Sequence, residues 1–312
     1  MVSGACPACG TLVLVGEAFC EQCGHALGVA GCTACGAPAV GADGYCENCG
    51  MLQPSGRDHV EIELEIAAGV SDRGLRHSRN EDAMALTAAG TVAGTAAGTA
   101  AGTVAVGVVC DGVSTSLRPE EASQTAVDTA VAALAKQLGE GADPETATRE
   151  AVRLAAEAVF ALAEQGEDAP ACTYVSAVVG GRQVTVGWVG DSRAYWLGSG
   201  SEVLTGDDAT PGTHMLTAWL GADAGEVVPH IRTFTPDGPG VVLLCSDGLW
   251  NYYPEPATLA AVALNATPRA AAQRLVRLAL EAGGHDNITV VVIPFGPGDQ
   301  AEATVVFPKE QQ

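Results

Sequence analysis

Four aspartates of this 312-residue chain stand where apolar runs of strand length begin or end. Asp111, Asp191 and Asp247 each follow such a run, and Asp286 precedes one. An aspartate at the end of a buried strand leaves its carboxylate at the edge of a sheet, where several carboxylates can meet. Hard divalent ions such as Mg²⁺ and Mn²⁺ prefer oxygen ligands. One such aspartate is weak evidence, but four of them predict a site for divalent cations.

Eight of the eleven cysteines lie in the first fifty residues, in four Cys-x-x-Cys-Gly pairs: Cys6 and Cys9, Cys20 and Cys23, Cys32 and Cys35, and Cys46 and Cys49. Two thiolates at this spacing can face one ion across a tight turn. The interval between pairs is the same in both halves, which indicates a tandem repeat. We therefore predict two structural Zn²⁺ ions, each with four cysteine ligands. A disulfide framework is the alternative, and it is disfavoured because the sequence shows no secretion signal.

The composition predicts a folded protein and disfavours several classes of partner. Hydrophobic residues make up 47% of the chain and charged residues 17%, which suits a catalytic-sized domain with a small appendage. The formal net charge of -22 repels phosphate backbones and anionic lipids, so we expect neither nucleic acid nor membrane as a partner. No apolar run approaches the ~20 residues that span a bilayer, and we expect a cytoplasmic protein. The acidity either keeps the chain soluble or attracts cations and basic substrates.

Apolar periodicity and turn signals predict the elements that position these residues. Residues 60–70 alternate like a half-buried strand, and three segments carry apolar side chains at helical spacing: 120–138, 144–164 and 267–283. Between residues 87 and 103 the chain repeats Thr-Ala-Ala-Gly, which predicts a flexible hairpin loop or, alternatively, a periodic structured element. The predicted organisation is a double zinc ribbon over 1–51 (1–27 and 28–51), a linker over 52–60, a catalytic domain over 61–296 and a flexible tail over 297–312.

A series of short motifs occurs in a characteristic order: Asn80-Glu81-Asp82, Cys110-Asp111-Gly112, Gly190-Asp191-Ser192-Arg193, Cys245-Ser246-Asp247-Gly248-Leu249-Trp250 and Asp286-Asn287-Ile288-Thr289. This series resembles the metal-dependent protein phosphatases of the 2C type, here with an N-terminal double zinc ribbon. The resemblance implies an α+β fold, a four-layer α/β/β/α sandwich with two central antiparallel sheets, preceded by two small zinc ribbons. It also implies hydrolysis of phosphoserine and phosphothreonine in phosphoprotein substrates, within a Ser/Thr kinase pathway.

The resemblance further implies that a set of residues holds two Mn²⁺ or Mg²⁺ ions, directly or through water: Glu81, Asp82, Asp111, Gly112, Asp191, Asp247 and Asp286. Asp111 would bridge the ions, Asp247 and Asp286 would complete one of them, and the Gly112 carbonyl the other. Glu81 and Asp82 would hold metal-bound waters, and Asp191 a weak third ion. A water shared by the ions would attack phosphorus without a covalent phosphoenzyme. Three further cysteines lie in apolar strand patterns and are expected to be buried hydrophobic residues: Cys110, Cys172 and Cys245.

The sequence departs from the family pattern at the predicted phosphate contact. His77 takes the place of the usual phosphate-binding arginine. Alternation along an extended segment would place His77 and Arg79 on one face and Arg76 on the other. We therefore predict that His77, helped by Arg79, contacts the substrate phosphate and belongs to the catalytic set with Asp111, Asp247 and Asp286. The alternative is a surface histidine among solvent-facing arginines.

Three other departures affect catalysis and selectivity. Val113 replaces a histidine that serves as general acid in some members, and Asn251 replaces an aspartate that helps a third metal. The stretch 204–221 is short where relatives carry a flap, which predicts an open active-site mouth. A catalytically weakened scaffold is therefore an alternative function, and a zinc-ribbon nucleic-acid protein is a poorer one. We expect the ribbons to bind a protein partner or to self-associate, and their role could be recruitment of substrate, docking to a kinase complex or covering the active site.

Overall fold

A computed structural model describes residues 56–89, 103–163, 169–213 and 215–296, with shorter stretches at 2–5, 12–14, 22, 32, 34–37, 45–51 and 53. The chain forms two compact units, Met1–Gly56 and Arg57–Gln312. Some predictions fall outside the described residues: the ligands Cys6, Cys9, Cys20 and Cys23, most of the Thr-Ala-Ala-Gly repeat, and the tail 297–312.

In chain order, the strands are β1 (Val2–Ala5), β2 (Leu12–Leu14), β3 (His59–Leu64), β4 (Ala67–Asp72), β5 (Ala83–Ala89), β6 (Val104–Cys110), β7 (Ala171–Cys172), β8 (Tyr174–Gly180), β9 (Gln183–Val189), β10 (Arg193–Gly198), β11 (Glu202–Val203), β12 (Ala209–Thr210), β13 (Met215–Leu216), β14 (Leu220–Gly221), β15 (His230–Phe234), β16 (Gly240–Cys245) and β17 (Ile288–Phe295). The helices are α1 (Pro119–Gly139), α2 (Pro144–Phe160), α3 (Asp247–Trp250), α4 (Pro256–Ala263) and α5 (Pro268–Ala282).

Two antiparallel sheets form the centre of the second unit. One has the strand order β11-β10-β16-β17-β4-β3 and the other β15-β9-β8-β6-β5. An apolar cluster that includes Val109, Trp196 and Ile293 joins the inner faces of the two sheets. A second cluster joins α1 and α2 to the five-stranded sheet, and a third joins α4 and α5 to the six-stranded sheet. The predicted α/β/β/α sandwich with two antiparallel sheets is confirmed.

Local signals in the sequence set the ends of the long helices. The Asp143 side chain caps α2 by accepting a hydrogen bond from the Thr146 amide, and Thr267 caps α5 in the same way. Such caps contribute about 1 kcal/mol each to helix stability. Helix α5 ends at Ala282, and the φ of 142° at its C-cap residue Gly283 suits glycine. The helix bounds agree with the predictions to within one residue, except that α2 ends at Phe160, four residues before its predicted end.

The chain enters the second unit earlier than the catalytic domain was predicted to begin. Strand β3 already starts at His59, inside the segment interpreted as a linker, and pairs with β4 along its whole length. Its apolar residues Val60 and Ile62 pack on the cluster between the two sheets. Across the described part of the chain, none of the helices combines the length and the apolar character that crossing a bilayer requires.

Candidate metal centres and active site

Five aspartates lie just before or after strands of the two central sheets, four of them in loops and one at the start of a short helix. Asp111 directly follows β6, Asp191 lies between β9 and β10, and Asp247 begins α3 just after β16. Asp82 precedes β5, and Asp286 lies between α5 and β17. The negative charge of Asp111 interacts with those of the other four, and that of Asp247 interacts with Asp82, Asp191 and Asp286. The structure therefore brings together the four aspartates of the strand-end argument and Asp82, and we refer to these five residues as the carboxylate cluster. Their role as metal ligands stays a prediction.

Burial and mutual repulsion make the ionised form of this carboxylate cluster unfavourable in the folded protein. They raise the pKa values of Asp111 and Asp247 well above their ordinary range, and they raise that of Asp82 to about 6. Asp82 is buried, and its Oδ1 atom has no hydrogen-bond partner in the part of the chain that the structure describes. Buried carboxylates without partners are unfavourable unless a cation balances them. The donor set and the orphaned oxygen therefore fit hard divalent cations.

Neutral side chains hold the carboxylates in place. The Ser246 hydroxyl donates a hydrogen bond to Asp82 Oδ2 at 2.7 Å and accepts one from the Thr289 backbone amide at 3.0 Å. The Asn251 side-chain amide donates to Asp247 Oδ2 at 3.0 Å, so this replacement for an aspartate orients a neighbouring carboxylate. The Ser114 hydroxyl donates to Glu81 Oε2 at 2.6 Å. None of these serines, nor the threonine or the asparagine, is predicted from the sequence as a supporting residue, although most of them lie within or beside the quoted motifs.

Asn287 organises the loop that contains His77. Its side-chain amide donates to the carbonyl oxygens of Arg73 at 2.8 Å and Arg79 at 2.9 Å, and its Oδ1 accepts the Glu81 amide at 2.8 Å. Asn287 is buried, so the loss of these bonds would leave several polar groups unsatisfied. The asparagine beside Asp286 therefore closes the loop from residue 73 to residue 81 around the active site.

Two glycines allow the loops around the cluster to pack closely. A Cβ atom on Gly112 would lie 2.7 Å from the carbonyl oxygen of Glu81, and one on Gly248 would lie 2.0 Å from that of Asn287. No side chain fits at these distances without moving the backbone. The glycine that follows Asp111 or Asp247 therefore lets the backbone of a second site segment approach that aspartate.

The structure separates the two residues predicted to contact phosphate. His77 Nε2 lies 3.2 Å from Asp286 Oδ1, whereas Arg79 Nη1 pairs with Glu120 Oε1 at 3.0 Å. Residues 74–76 form a turn and 78–79 a bend, so the alternation of an extended segment does not apply here. His77 and Arg79 are therefore not expected to share a face, and the phosphate contact of each residue stays a prediction.

The remaining sequence predictions have mixed outcomes. Cys110, Cys172 and Cys245 are fully buried, and burial raises the pKa values of Cys110 and Cys245, as expected for apolar core residues. Asp191 is buried, and its carbonyl oxygen accepts the Trp250 indole at 2.9 Å. In the stretch 204–221 the described residues form only three two-residue strands, the paired β12 and β13 and then β14. The open mouth therefore stays a prediction.

A second candidate metal centre lies in the N-terminal unit. The sulfur atoms of Cys32, Cys35, Cys46 and Cys49 all lie within 4.8 Å of one another, which fits four ligands of one Zn²⁺. The amides of Gly36 and Gly50 donate to the carbonyls of the first cysteine of each pair, with φ values of 73° and 68°. The predicted tight turn in each cysteine pair, with the thiolates facing one position, is confirmed for this ribbon.

The glycines allow the tight turns because positive φ costs them little. Polar groups also reach the sulfur atoms of this centre. The Gln53 side-chain amide donates to Cys32 Sγ at 3.2 Å, and the Asn48 side-chain amide lies 3.6 Å from Cys35 Sγ. These donors suit thiolates, which carry negative charge when they bind zinc.

Comparisons with known proteins identify the families that the two parts of the chain resemble. The probable protein phosphatase 2C 52 of Oryza sativa subsp. japonica is 28% identical over an alignment of 153 residues, and the match covers 39% of this chain and 31% of the rice protein. The chain thus spans about a third of the length of that curated relative. The catalytic domain of the serine/threonine protein phosphatase PstP, solved with two manganese ions, is 28% identical with a TM-score of 0.60, covering 73% of this chain and 97% of that one.

A second solved phosphatase structure is similar to this chain to the same degree. The PPM Ser-Thr phosphatase MsPP from Mycobacterium smegmatis, in complex with cacodylate, is 28% identical with a TM-score of 0.59, covering 75% of this chain and 100% of that one. A family model for the double zinc ribbon matches residues 6–50. The model for protein phosphatase 2C matches residues 77–280, which is more than half of the chain. The chain therefore belongs to the protein phosphatase 2C family and carries a double zinc ribbon ahead of the phosphatase unit.

Proposed function

We propose that this protein hydrolyses phosphoserine and phosphothreonine in phosphoprotein substrates by direct attack of water on phosphorus, with two divalent cations bound. The observation that carries this proposal is the carboxylate cluster, in which burial and repulsion raise the pKa values of Asp82, Asp111 and Asp247. Such a cluster needs cations to balance its charge. Membership in the phosphatase family supports the reaction class, and the related PstP structure contains two manganese ions.

The donor set suits two Mn²⁺ or Mg²⁺ ions. Asp111 would hold both ions, Asp247 and Asp286 would complete one of them, and the Gly112 carbonyl would complete the other. When bound, the ions would supply Lewis acidity that makes water nucleophilic near neutral pH and balances charge on the phosphoryl oxygens. Asp191 would bind a third ion more weakly, because Asn251 offers an amide where a further carboxylate would stand.

The chain's own residues would orient water and substrate. Asp82 and Glu81 would accept hydrogen bonds from water, and the hydroxyls of Ser246 and Ser114 hold these two carboxylates in place. Val113 offers no proton, so solvent water would protonate the leaving serine or threonine oxygen. A buried thiol nucleophile is not needed for this reaction.

His77 is the residue that we propose to contact the substrate phosphate. Its distance of 3.2 Å from Asp286 places the imidazole beside the carboxylate cluster, where an N–H group can donate to a phosphoryl oxygen. Arg79 would contribute after its exposed ion pair with Glu120 opens, which costs at most about 1 kcal/mol. His77→Ala should raise the KM for a phosphopeptide at saturating Mn²⁺. Unchanged turnover and unchanged KM in this variant would refute the assignment.

The reaction itself is tested by Mn²⁺-dependent hydrolysis of para-nitrophenyl phosphate and of a phosphothreonine peptide. Asp111→Asn and Asp247→Asn should each lower kcat/KM by at least about a hundredfold, because each removes a charged ligand of the proposed ions. Asp237→Asn is the matched control, since Asp237 is an exposed aspartate outside the cluster. Complete inactivity of wild-type protein that binds Mn²⁺ would favour the phosphatase-like scaffold, the alternative to which His77 and Val113 point.

We also propose that the zinc ribbons bind a protein partner. Four cysteine ligands leave no open position for catalysis at the described ribbon, so a structural Zn²⁺ is the better fit. The sequence has no lysine or arginine before Arg57, which disfavours a nucleic-acid partner. A Ser/Thr kinase pathway as the source of substrates, and a cytoplasmic location, complete the proposal. A cross-linking experiment on intact protein, with Cys35→Ser as control, should detect a protein partner that depends on the ribbon.

A further inference from the structure

Arg57, the first residue of the second unit, forms hydrogen bonds with a segment of the candidate active site. Its Nη2 donates to the carbonyl oxygen of Asp82 at 3.2 Å, and its own carbonyl oxygen accepts the Asn80 side-chain amide at 3.0 Å. Asn80 is buried and also donates to Ser71 Oγ at 2.9 Å. The chain is therefore fixed to the residues that flank Glu81 at the point where it enters the phosphatase unit.

The next residue, Asp58, contacts Arg73 at the other end of the same loop. The Asp58 carbonyl oxygen accepts the Arg73 amide at 2.8 Å, and the Asp58 carboxylate lies 3.8 Å from Arg73 Nε. Arg73 in turn donates to the His77 carbonyl oxygen at 2.9 Å. The consecutive residues Arg57 and Asp58 thus bind both ends of the loop from residue 73 to residue 82.

Burial and nearby carboxylates act in opposite directions on the charge of the Arg57 side chain. Its guanidinium is partly buried, which lowers its pKa, but the charges of Glu120, Asp128 and Asp82 oppose that effect and favour the charged form. A planar guanidinium is charged at any physiological pH and can donate several hydrogen bonds at once. Since Arg57 binds the carbonyl oxygen of Asp82, it fixes the backbone that positions the carboxylate and adds a nearby positive charge.

We propose that Arg57 is a positioning residue for the Glu81 and Asp82 carboxylates, so that the first residue of the second unit sets the affinity of the active site for divalent cations. The proposal rests on the cation site of the proposed function. It gives residues 57 and 58 a role that a linker would not have. It predicts that a change at Arg57 alters Mn²⁺ binding without removing any ligand.

The test is a calorimetric titration of Mn²⁺ into full-length, zinc-loaded protein. Mn²⁺ favours oxygen ligands and does not compete for the thiolates. Arg57→Ala should bind Mn²⁺ about tenfold more weakly than wild type, the lower end of the range for residues that support metal ligands. Arg57→Lys, which keeps the charge and one donor group, should recover part of the affinity. Arg182→Ala, in the exposed turn between β8 and β9, should bind like wild type.

The outcomes separate this proposal from the proposed function. Wild-type Mn²⁺ affinity in Arg57→Ala overturns the positioning role, even when the variant has a lower melting temperature or lower activity. If Arg57→Ala does not fold, Arg57→Lys decides: unchanged Mn²⁺ affinity overturns the proposal, and a loss of at least about threefold supports it. A wild-type protein that binds Mn²⁺ but hydrolyses no phosphate ester refutes the proposed function alone, and the affinity of Arg57→Ala still decides the positioning role.

Discussion

The carboxylate cluster predicts an unusual result for Asp82→Asn: the substitution should stabilise the protein without divalent cations. Burial and repulsion raise the pKa of Asp82 from an ordinary value of 3.8 to about 6. A tenfold change in proton affinity is worth about 1.4 kcal/mol, so this shift corresponds to about 3 kcal/mol. Asparagine keeps the size of the side chain and removes its charge, which removes this cost.

The sign of the effect follows from proton binding. Because the folded state holds the Asp82 proton more tightly than the unfolded state, the free energy of unfolding falls as pH rises from about 4 to about 6. Above about pH 6, the ionised Asp82 carboxylate destabilises the folded protein by the full amount. The raised pKa values of Asp111 and Asp247 extend the same trend to higher pH. At pH 7.5, Asp82→Asn should therefore raise the free energy of unfolding by up to about 3 kcal/mol, and the melting temperature by roughly 6–12 °C.

The assay is urea unfolding of cation-free protein at pH 4.5 and 7.5, followed by tryptophan fluorescence. Dialysis against citrate removes Mn²⁺ and Mg²⁺ but leaves Zn²⁺, which thiolates bind far more tightly, and a zinc assay checks this. Asp237→Asn, an exposed aspartate, is the matched control and should change little at either pH. With saturating Mn²⁺, wild type should become more stable than Asp82→Asn, because wild type gains more binding energy than the variant.

Two results would refute the reasoning. One is a cation-free Asp82→Asn protein that is no more stable than wild type at pH 7.5. The other is a stability difference that is the same at pH 4.5 and pH 7.5, because the proposed cost appears only when the carboxyl group loses its proton. Either result would mean that protein dipoles, such as the hydroxyl of Ser246, already compensate the charge.

Three further predictions follow from other parts of the chain. Cys35→Ser should lower the zinc content by one ion per chain by elemental analysis, because its sulfur is one of four clustered ligands; an unchanged content contradicts this. Gly248→Ala should cost about 1–3 kcal/mol in urea unfolding, because its Cβ would lie 2.0 Å from a carbonyl oxygen, whereas Gly206→Ala, in open space, should be neutral. The hydrogen bond to Asp72 raises the pKa of His59 above 6.5, so His59→Gln should destabilise the protein at pH 5.5 and lose this effect as pH rises through the raised value; equal destabilisation at pH 5.5 and 9 contradicts this.

The carboxylate cluster could be predicted from sequence because residue type and position carry the information locally. Asp111 and Asp247 each follow an apolar strand and precede a glycine, and the geometry of a strand end then places the carboxylate at the edge of the sheet. The same holds for α5, where a threonine cap and a terminal glycine mark both ends. Local signals of this kind do not depend on how distant segments pack.

The loop from residue 73 to residue 82 could not be predicted in the same way. Its conformation depends on Asn287, more than two hundred residues later in the chain, which binds two of its carbonyl oxygens. Side chains alternate between two faces only in an extended strand. That rule therefore cannot relate His77 to Arg79, which lie in a segment of turns and bends. Likewise, the polar sequence before β3 has the composition of a linker, and only the bonds of Arg57 show that its end belongs to the active-site framework.

The way in which polar groups surround the cluster fits a site that must exchange cations. A guanidinium bound to the Asp82 carboxylate would neutralise it and compete with a metal ion. Arg57 instead donates to the carbonyl oxygen of Asp82, Arg73 donates to that of His77, and the Asp82 carboxylate accepts from the neutral hydroxyl of Ser246. Positive side chains thus fix the backbone, and neutral groups orient the carboxylates. The repulsion that destabilises the cation-free protein is therefore the same property that leaves the carboxylates available to bind divalent cations.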